Sequence, residues 1–125
     1  GDKTIYETMG AMCESWGEKT ENHYGYSRVG AVVGATYPQQ LEEMRQKMPH
    51  TFFLVPGYGA QGGGAKDVAG AFDKNGLGAV VNSSRAILTA WKKAGTDGKD
   101  FAQQARAAAI TMREDIMGVV GKISL

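Results

Sequence analysis

An α/β fold of about three parallel βα units between flanking helices is what this 125-residue sequence predicts. Three observations carry the prediction. Short apolar runs of small and β-branched residues recur about every two dozen residues, which is the rhythm of successive βα units. The segments between the runs carry helical spacing and helix-ending signals. None of the runs alternates polar with apolar residues, which suits strands covered on both faces of a parallel sheet.

Lys3–Trp16 reads as the opening helix, because Ile5, Met9, Met12, Cys13 and Trp16 recur at helical spacing and share one face. Gly17–Arg28, with His23, Tyr24 and Tyr26, reads as a polar loop. Val29–Ala35 (VGAVVGA) is the first strand. Thr36-Tyr37-Pro38 then leads into a helix over Gln39–Met48. Proline sits near its first turn, Glu42 and Glu43 come early, and Arg45 and Lys47 come late, which suits the helix dipole. Pro49 ends it. Thr51–Val55 (TFFLV) is the second strand, closed by Pro56-Gly57, and a glycine-rich loop follows. A short helix near Lys66–Lys74 ends at Asn75-Gly76. Gly78–Asn82 (GAVVN) is the third strand, and Ser83–Lys93 a helix with Ile87, Leu88 and Trp91 on one face. Gly95–Gly98 breaks the chain before an alanine-rich helix over Phe101–Met117, capped by Gly118.

With 42% hydrophobic residues, the chain has enough apolar material for one core and reads as a single domain over 1–125. A complete (β/α)8 barrel takes about 250 residues. The expectation is therefore a partial-barrel domain, a fragment of a larger barrel, because three parallel strands alone leave two open edges. A net charge of +1, with basic and acidic residues interspersed, argues against a nucleic-acid partner held through counterion release. No apolar run approaches the ~20 residues of a membrane helix, and no signal peptide is read at the start. The single cysteine, Cys13, has no internal partner, which favours a reducing, cytoplasmic setting and a structural thiol.

Glycine is the compositional anomaly. Of 18 glycines, Gly57, Gly59, Gly62, Gly63 and Gly64 crowd together directly after the second strand. Ligands of α/β folds bind at the carboxyl ends of strands, and barrels often hold a phosphate on the loops after their last two strands. Glycines let backbone N–H groups approach phosphate oxygens closely. Asn82-Ser83-Ser84-Arg85, after the third strand, adds a helix start and a guanidinium fork, and Gln61 adds a neutral amide donor. Two other readings fit the same glycines. Gly57-x-Gly59-x-x-Gly62 spells the dinucleotide fingerprint, but the next strand ends in Asn82-Ser83 where that site wants an acidic residue. A simple tight turn is the other. Lys66-Asp67 and Asp73-Lys74 read as solvated surface pairs, and Asp97 and Asp100 as helix caps. His23 and His50 are isolated, so no metal site is expected.

VGATYP (Val33–Pro38), LVPGYGAQGG (Leu54–Gly63) and NSSRAIL (Asn82–Leu88), in this order and spacing, resemble the orotidine 5′-monophosphate decarboxylase family, most closely its second, longer bacterial branch. The resemblance spans about Val29 to Trp91. It implies the carboxyl-terminal part of a (β/α)8 barrel, with the three strands as the sixth to eighth and the opening helix as the fifth. Gln61 and Arg85 would then contact the nucleotide phosphate, with Gly62 alongside. Ser84 stands where the family usually has glycine and would offer its backbone N–H. Pro56 would lie near the pyrimidine, Tyr58 beside the ligand, and Thr36 would face the same pocket. The family converts orotidine monophosphate to uridine monophosphate and CO2 in pyrimidine biosynthesis, without a cofactor. Its catalytic lysines and aspartates come from earlier strands, in a DxK motif followed by a further Asp, and that motif is expected to be absent here. The resemblance thus implies a substrate-binding part with no catalytic residue, inactive alone. It would pair as a homodimer or dock with a missing amino-terminal part. The alternative is a self-associating nucleotide- or phosphate-binding half-barrel without catalysis.

Overall fold

In the computed structural model, which describes residues 1–59 and 63–124, the three apolar runs form one parallel sheet in the order β1-β2-β3. The elements are α1 (Ile5–Trp16), β1 (Gly30–Val32), α2 (Pro38–Lys47), β2 (Phe52–Pro56), α3 (Ala65–Val68), β3 (Ala79–Asn82), α4 (Ser84–Leu88), α5 (Ala90–Lys93) and α6 (Phe101–Val120). A 3₁₀ turn over Ala69–Ala71 continues α3. Val32 pairs with Leu54 and Leu54 with Val80, and β2 and β3 run on together to the Pro56–Asn82 pair.

The sheet is covered on one face only, which corrects the expectation of strands buried on both. Phe53 and Val55 point into a core completed by Leu41, Met44 and Met48 from α2 and by Val68 and Ala71. The alternate residues Val32, Phe52, Leu54 and Val80 stay exposed. A strand lining a barrel is apolar on its inner side as well, and that accounts for runs without alternation even though helices cover a single face.

The opening helix also differs from its pattern. Thr4 caps it in a capping box with Glu7, but Ile5, Met9, Met12 and Trp16 lie largely in solvent. Gly10 is the buried residue of α1. It lets the helix approach Met44 and Met48, the nearest atoms a Cβ would meet there. Polar ties complete the docking. Glu14 accepts from the His50 N–H at 3.0 Å and from the Thr51 hydroxyl at 2.6 Å, and Lys47 pairs with Glu7. Cys13 packs partly buried against the core.

Arg45, which the sequence marks only as a dipole partner late in α2, is buried. Its guanidinium donates to the carbonyls of Ala71, Gly78, Met48 and Thr51. It lies 4.1 Å from the Phe53 ring centroid and 5.5 Å from that of Tyr26. The Tyr26 hydroxyl in turn donates to Asp73 at 2.7 Å. Asp73 also accepts the N–H groups of Asn75 and Leu77, so it is a structural acceptor and not a solvated surface charge.

Three helices change their bounds. The helix expected over Ser83–Lys93 divides at Thr89, whose hydroxyl bonds back to the Arg85 carbonyl at 2.7 Å, a local competitor of the helical ladder. The final helix runs through Gly118 and stops at Gly121, where φ is 88°. Asp100 occupies its N-cap position but spends its carboxylate on Thr96 and Gln104. The helix near Lys66–Lys74 is cut short to α3 and the 3₁₀ turn, because Asp73 draws the following chain into its own turn.

Candidate phosphate site at the strand ends

The carboxyl ends of the strands bring together residues that the sequence scatters. Pro56 pairs in register with Asn82, so the loops after β2 and β3 leave the sheet as neighbours. The Ala35 N–H donates to the Pro56 carbonyl at 3.1 Å, which sets Thr36, exposed in the turn after β1, at the same end. Ser84 and Arg85 open α4, and both are exposed. Among the described residues no carboxylate lies within ion-pair distance of Arg85. Arg85 lines an open groove of about 810 Å³ together with Tyr58, Gly59, Ala86, Lys93 and Gln104.

The glycine loop is pinned at its base. Gly57 and Gly59 take φ of 108° and 83°, a region that other residues rarely enter. The Gly59 N–H donates to the Gly63 carbonyl at 2.7 Å, and Tyr58 and Gly63 form a parallel bridge. At the far side Gly64 donates to the Asp67 carboxylate at 2.7 Å, so Asp67 has a capping role in place of the solvated pair expected with Lys66. Ser83, buried, donates its hydroxyl to the Tyr58 carbonyl at 2.9 Å. The Tyr58 hydroxyl donates to Asp115 of α6 at 2.6 Å. Burial and that carboxylate push the Tyr58 phenol up to about 12, so it stays protonated and remains a donor. Gln61 and Gly62, expected on the ligand, lie outside the described residues, as does Ala60.

Neither Ser83 nor Asp115 shows this role in the sequence. The sequence pattern marks Ser83 only as part of a helix start and does not mark Asp115. The letters Asp97-Gly98-Lys99 do spell DxK, the spacing expected to be missing. They lie in the turn between α5 and α6, where Asp97 and Lys99 pair at 3.1 Å with both side chains exposed. That position joins two helices and is not at a strand end, so the letters carry no catalytic arrangement.

Gly63 is required by close approach. A Cβ there would stand 2.7 Å from the Gly57 carbonyl oxygen, a backbone atom that cannot rotate away. Gly63→Ala is therefore expected to open the loop base. Exchange of the Gly59 amide hydrogen should quicken by roughly tenfold or more as its acceptor moves. An unchanged exchange rate would contradict the closed base.

No protein-family model matches the chain. Individual relatives do. The chain is 48% identical over 120 residues to the orotidine 5′-phosphate decarboxylase of Rhodopirellula baltica, across 93% of this chain and 40% of that protein. It is likewise 48% identical to the enzyme of that name from Clostridium perfringens, across 96% of this chain and 41% of that protein. Among solved structures, Leishmania donovani OMP decarboxylase matches at 30% identity and TM-score 0.66, over 96% of this chain and 39% of that one. Leishmania donovani UMP synthase matches at 33% identity and TM-score 0.67, over 94% of this chain and 23% of that one. The chain thus spans about two fifths of the length of the curated relatives it matches. Its three βα units correspond to part of a (β/α)8 barrel. Among the described residues no helix is long and apolar enough to cross a membrane. In sequence and in fold alike, the chain matches one portion of the orotidine 5′-phosphate decarboxylases.

Proposed function

We propose that this chain is the carboxyl-terminal, phosphate-holding portion of an enzyme that decarboxylates orotidine monophosphate to uridine monophosphate. One observation carries the reading: Arg85, exposed and without a carboxylate partner among the described residues, stands beside a glycine loop whose base is closed. A guanidinium with no protein anion to satisfy it is free to take a bidentate grip on a phosphate. Gln61 and the amides around Gly62 and Ser84 complete the grip. Pro56 and Tyr58 flank the ring and ribose, and Thr36 closes the third side. The reading needs no cofactor. The groups that stress the substrate carboxylate and protonate the carbanion belong to a portion of the barrel other than these three strands. The chain by itself therefore holds substrate and does not turn it over.

The exposed row Val32, Phe52, Leu54 and Val80 supports a second reading, in which two copies close their sheets on each other and bind nucleotide without catalysis. One assay separates the two. The full-length gene product is expected to consume orotidine monophosphate, followed by its ultraviolet absorbance. A folded product that binds uridine monophosphate without turnover, at twice the chain mass in solution, would move the assignment to the binding module.

A further inference from the structure

Three independent contacts converge on Tyr58. Its carbonyl accepts the buried Ser83 hydroxyl at 2.9 Å, its main chain bridges to Gly63, and its phenol donates to Asp115 at 2.6 Å. The first holds the loop to the end of β3, and the second closes the loop's base on itself. The third reaches 57 residues along the chain to α6, the same helix that packs on α4, where Arg85 sits. Tyr58 and Arg85 also line the same groove.

We propose that Tyr58 and Asp115 form a latch by which α6 fixes the base of the glycine loop beside Arg85 of α4, making Asp115 a positioning residue for the phosphate end of the ligand. The inference rests on the functional reading above and adds a residue that touches no ligand. The physical reason is entropic. Gly57 and Gly59, both at positive φ, give the base of the loop more backbone freedom than other residues would, and holding an anion there costs that freedom. Each contact that removes this freedom beforehand strengthens binding without touching the ligand. The phenol suits the task because it remains a donor at neutral pH. Asp115 accepts it from an exposed helical position, so its substitution leaves the core intact.

The test uses full-length protein and two probes, uridine monophosphate and uridine, titrated against wild type, Tyr58→Phe, Asp115→Ala and Asp115→Asn. Asp115→Ala should weaken uridine monophosphate by roughly three- to tenfold and leave uridine nearly unchanged, and Tyr58→Phe should weaken uridine monophosphate by the same factor. Asp115→Asn keeps an acceptor and should restore most of the loss. The double variant Tyr58→Phe with Asp115→Ala should be no worse than either single change, because one bond is being removed twice. Unchanged nucleotide affinity in the single variants, or losses that multiply in the double, would overturn the latch while leaving the site assignment standing. Equal losses on both probes in Asp115→Ala would overturn it too, since they mark a general loss of structure. Wild-type protein that binds neither probe would overturn the functional reading itself, and the latch with it.

Discussion

Replacing Arg45 with alanine is expected to destabilise the protein by about 3–5 kcal/mol, a large part of an ordinary domain's stability. The guanidinium holds four carbonyls from three connecting segments. Met48 follows the end of α2, Thr51 precedes β2, Ala71 ends the 3₁₀ turn and Gly78 precedes β3. Removing the side chain strands buried acceptors and leaves a void under Phe53 and Tyr26. Water entering that void recovers part of the cost, which is why the expected loss is smaller than four separate bonds suggest. Arg45→Lys keeps the charge but not the planar fork, so its three donors cannot serve carbonyls spread over both nitrogens. A loss of about 2 kcal/mol is expected for it. Urea midpoints at constant slope measure both changes. A shift below about 1 kcal/mol for Arg45→Ala would mean that the carbonyls find other partners and that the strand entrances are held by the sheet alone.

Arg45 also shows what kind of information the sequence carries and what it withholds. The strands, their parallel order and their spacing are legible because β-branched runs at regular intervals have few other uses. The fate of a polar residue on a helix is not legible in the same way. Arg45 and Lys47 both sit late in α2 and look alike as dipole partners, yet Lys47 pairs with Glu7 at the surface while Arg45 lies under the sheet. Only the turn of the helix relative to β2 decides between them, and that is set by tertiary packing. The apolar stripe of α1 misleads for the same reason. Ile5, Met9, Met12 and Trp16 make a sound helical face, but the surface that α1 presents to α2 is the one carrying Gly10. Sidedness in sequence says that a face exists, not which neighbour takes it.

The candidate site was legible in the opposite proportion. Glycines clustered directly after a strand, and a serine–arginine pair opening the next helix, predict the proposed anion site through chemistry alone. The residues that hold that site in shape do not. Ser83 acts through a carbonyl and Asp115 through a phenol far along the chain, and neither leaves a local pattern. The two poles of the sheet divide the work accordingly. Arg45 and the Tyr26–Asp73 bond tie the strand entrances, where substitutions should lower stability. Arg85 and the glycine loop occupy the strand exits, where they should lower binding.

Arg85→Ala should make that division measurable. The side chain is exposed and pairs with no carboxylate among the described residues, so the melting temperature should stay within a degree or two of wild type. Affinity for uridine monophosphate should fall roughly ten- to a hundredfold, the worth of one charge-assisted bidentate contact. Uridine, which has no phosphate, should bind both proteins alike. Arg85→Lys retains a point charge without the fork and should fall between the two, and Gln61→Ala should cost less than Arg85→Ala because its amide is neutral. Isothermal titration with the two ligands reads all of this. If nucleotide and nucleoside lose affinity together, Arg85 acts on the shape of the groove and not on the phosphate. If neither loses affinity, the phosphate is held elsewhere, and the glycine loop reverts to a turn that joins β2 to α3.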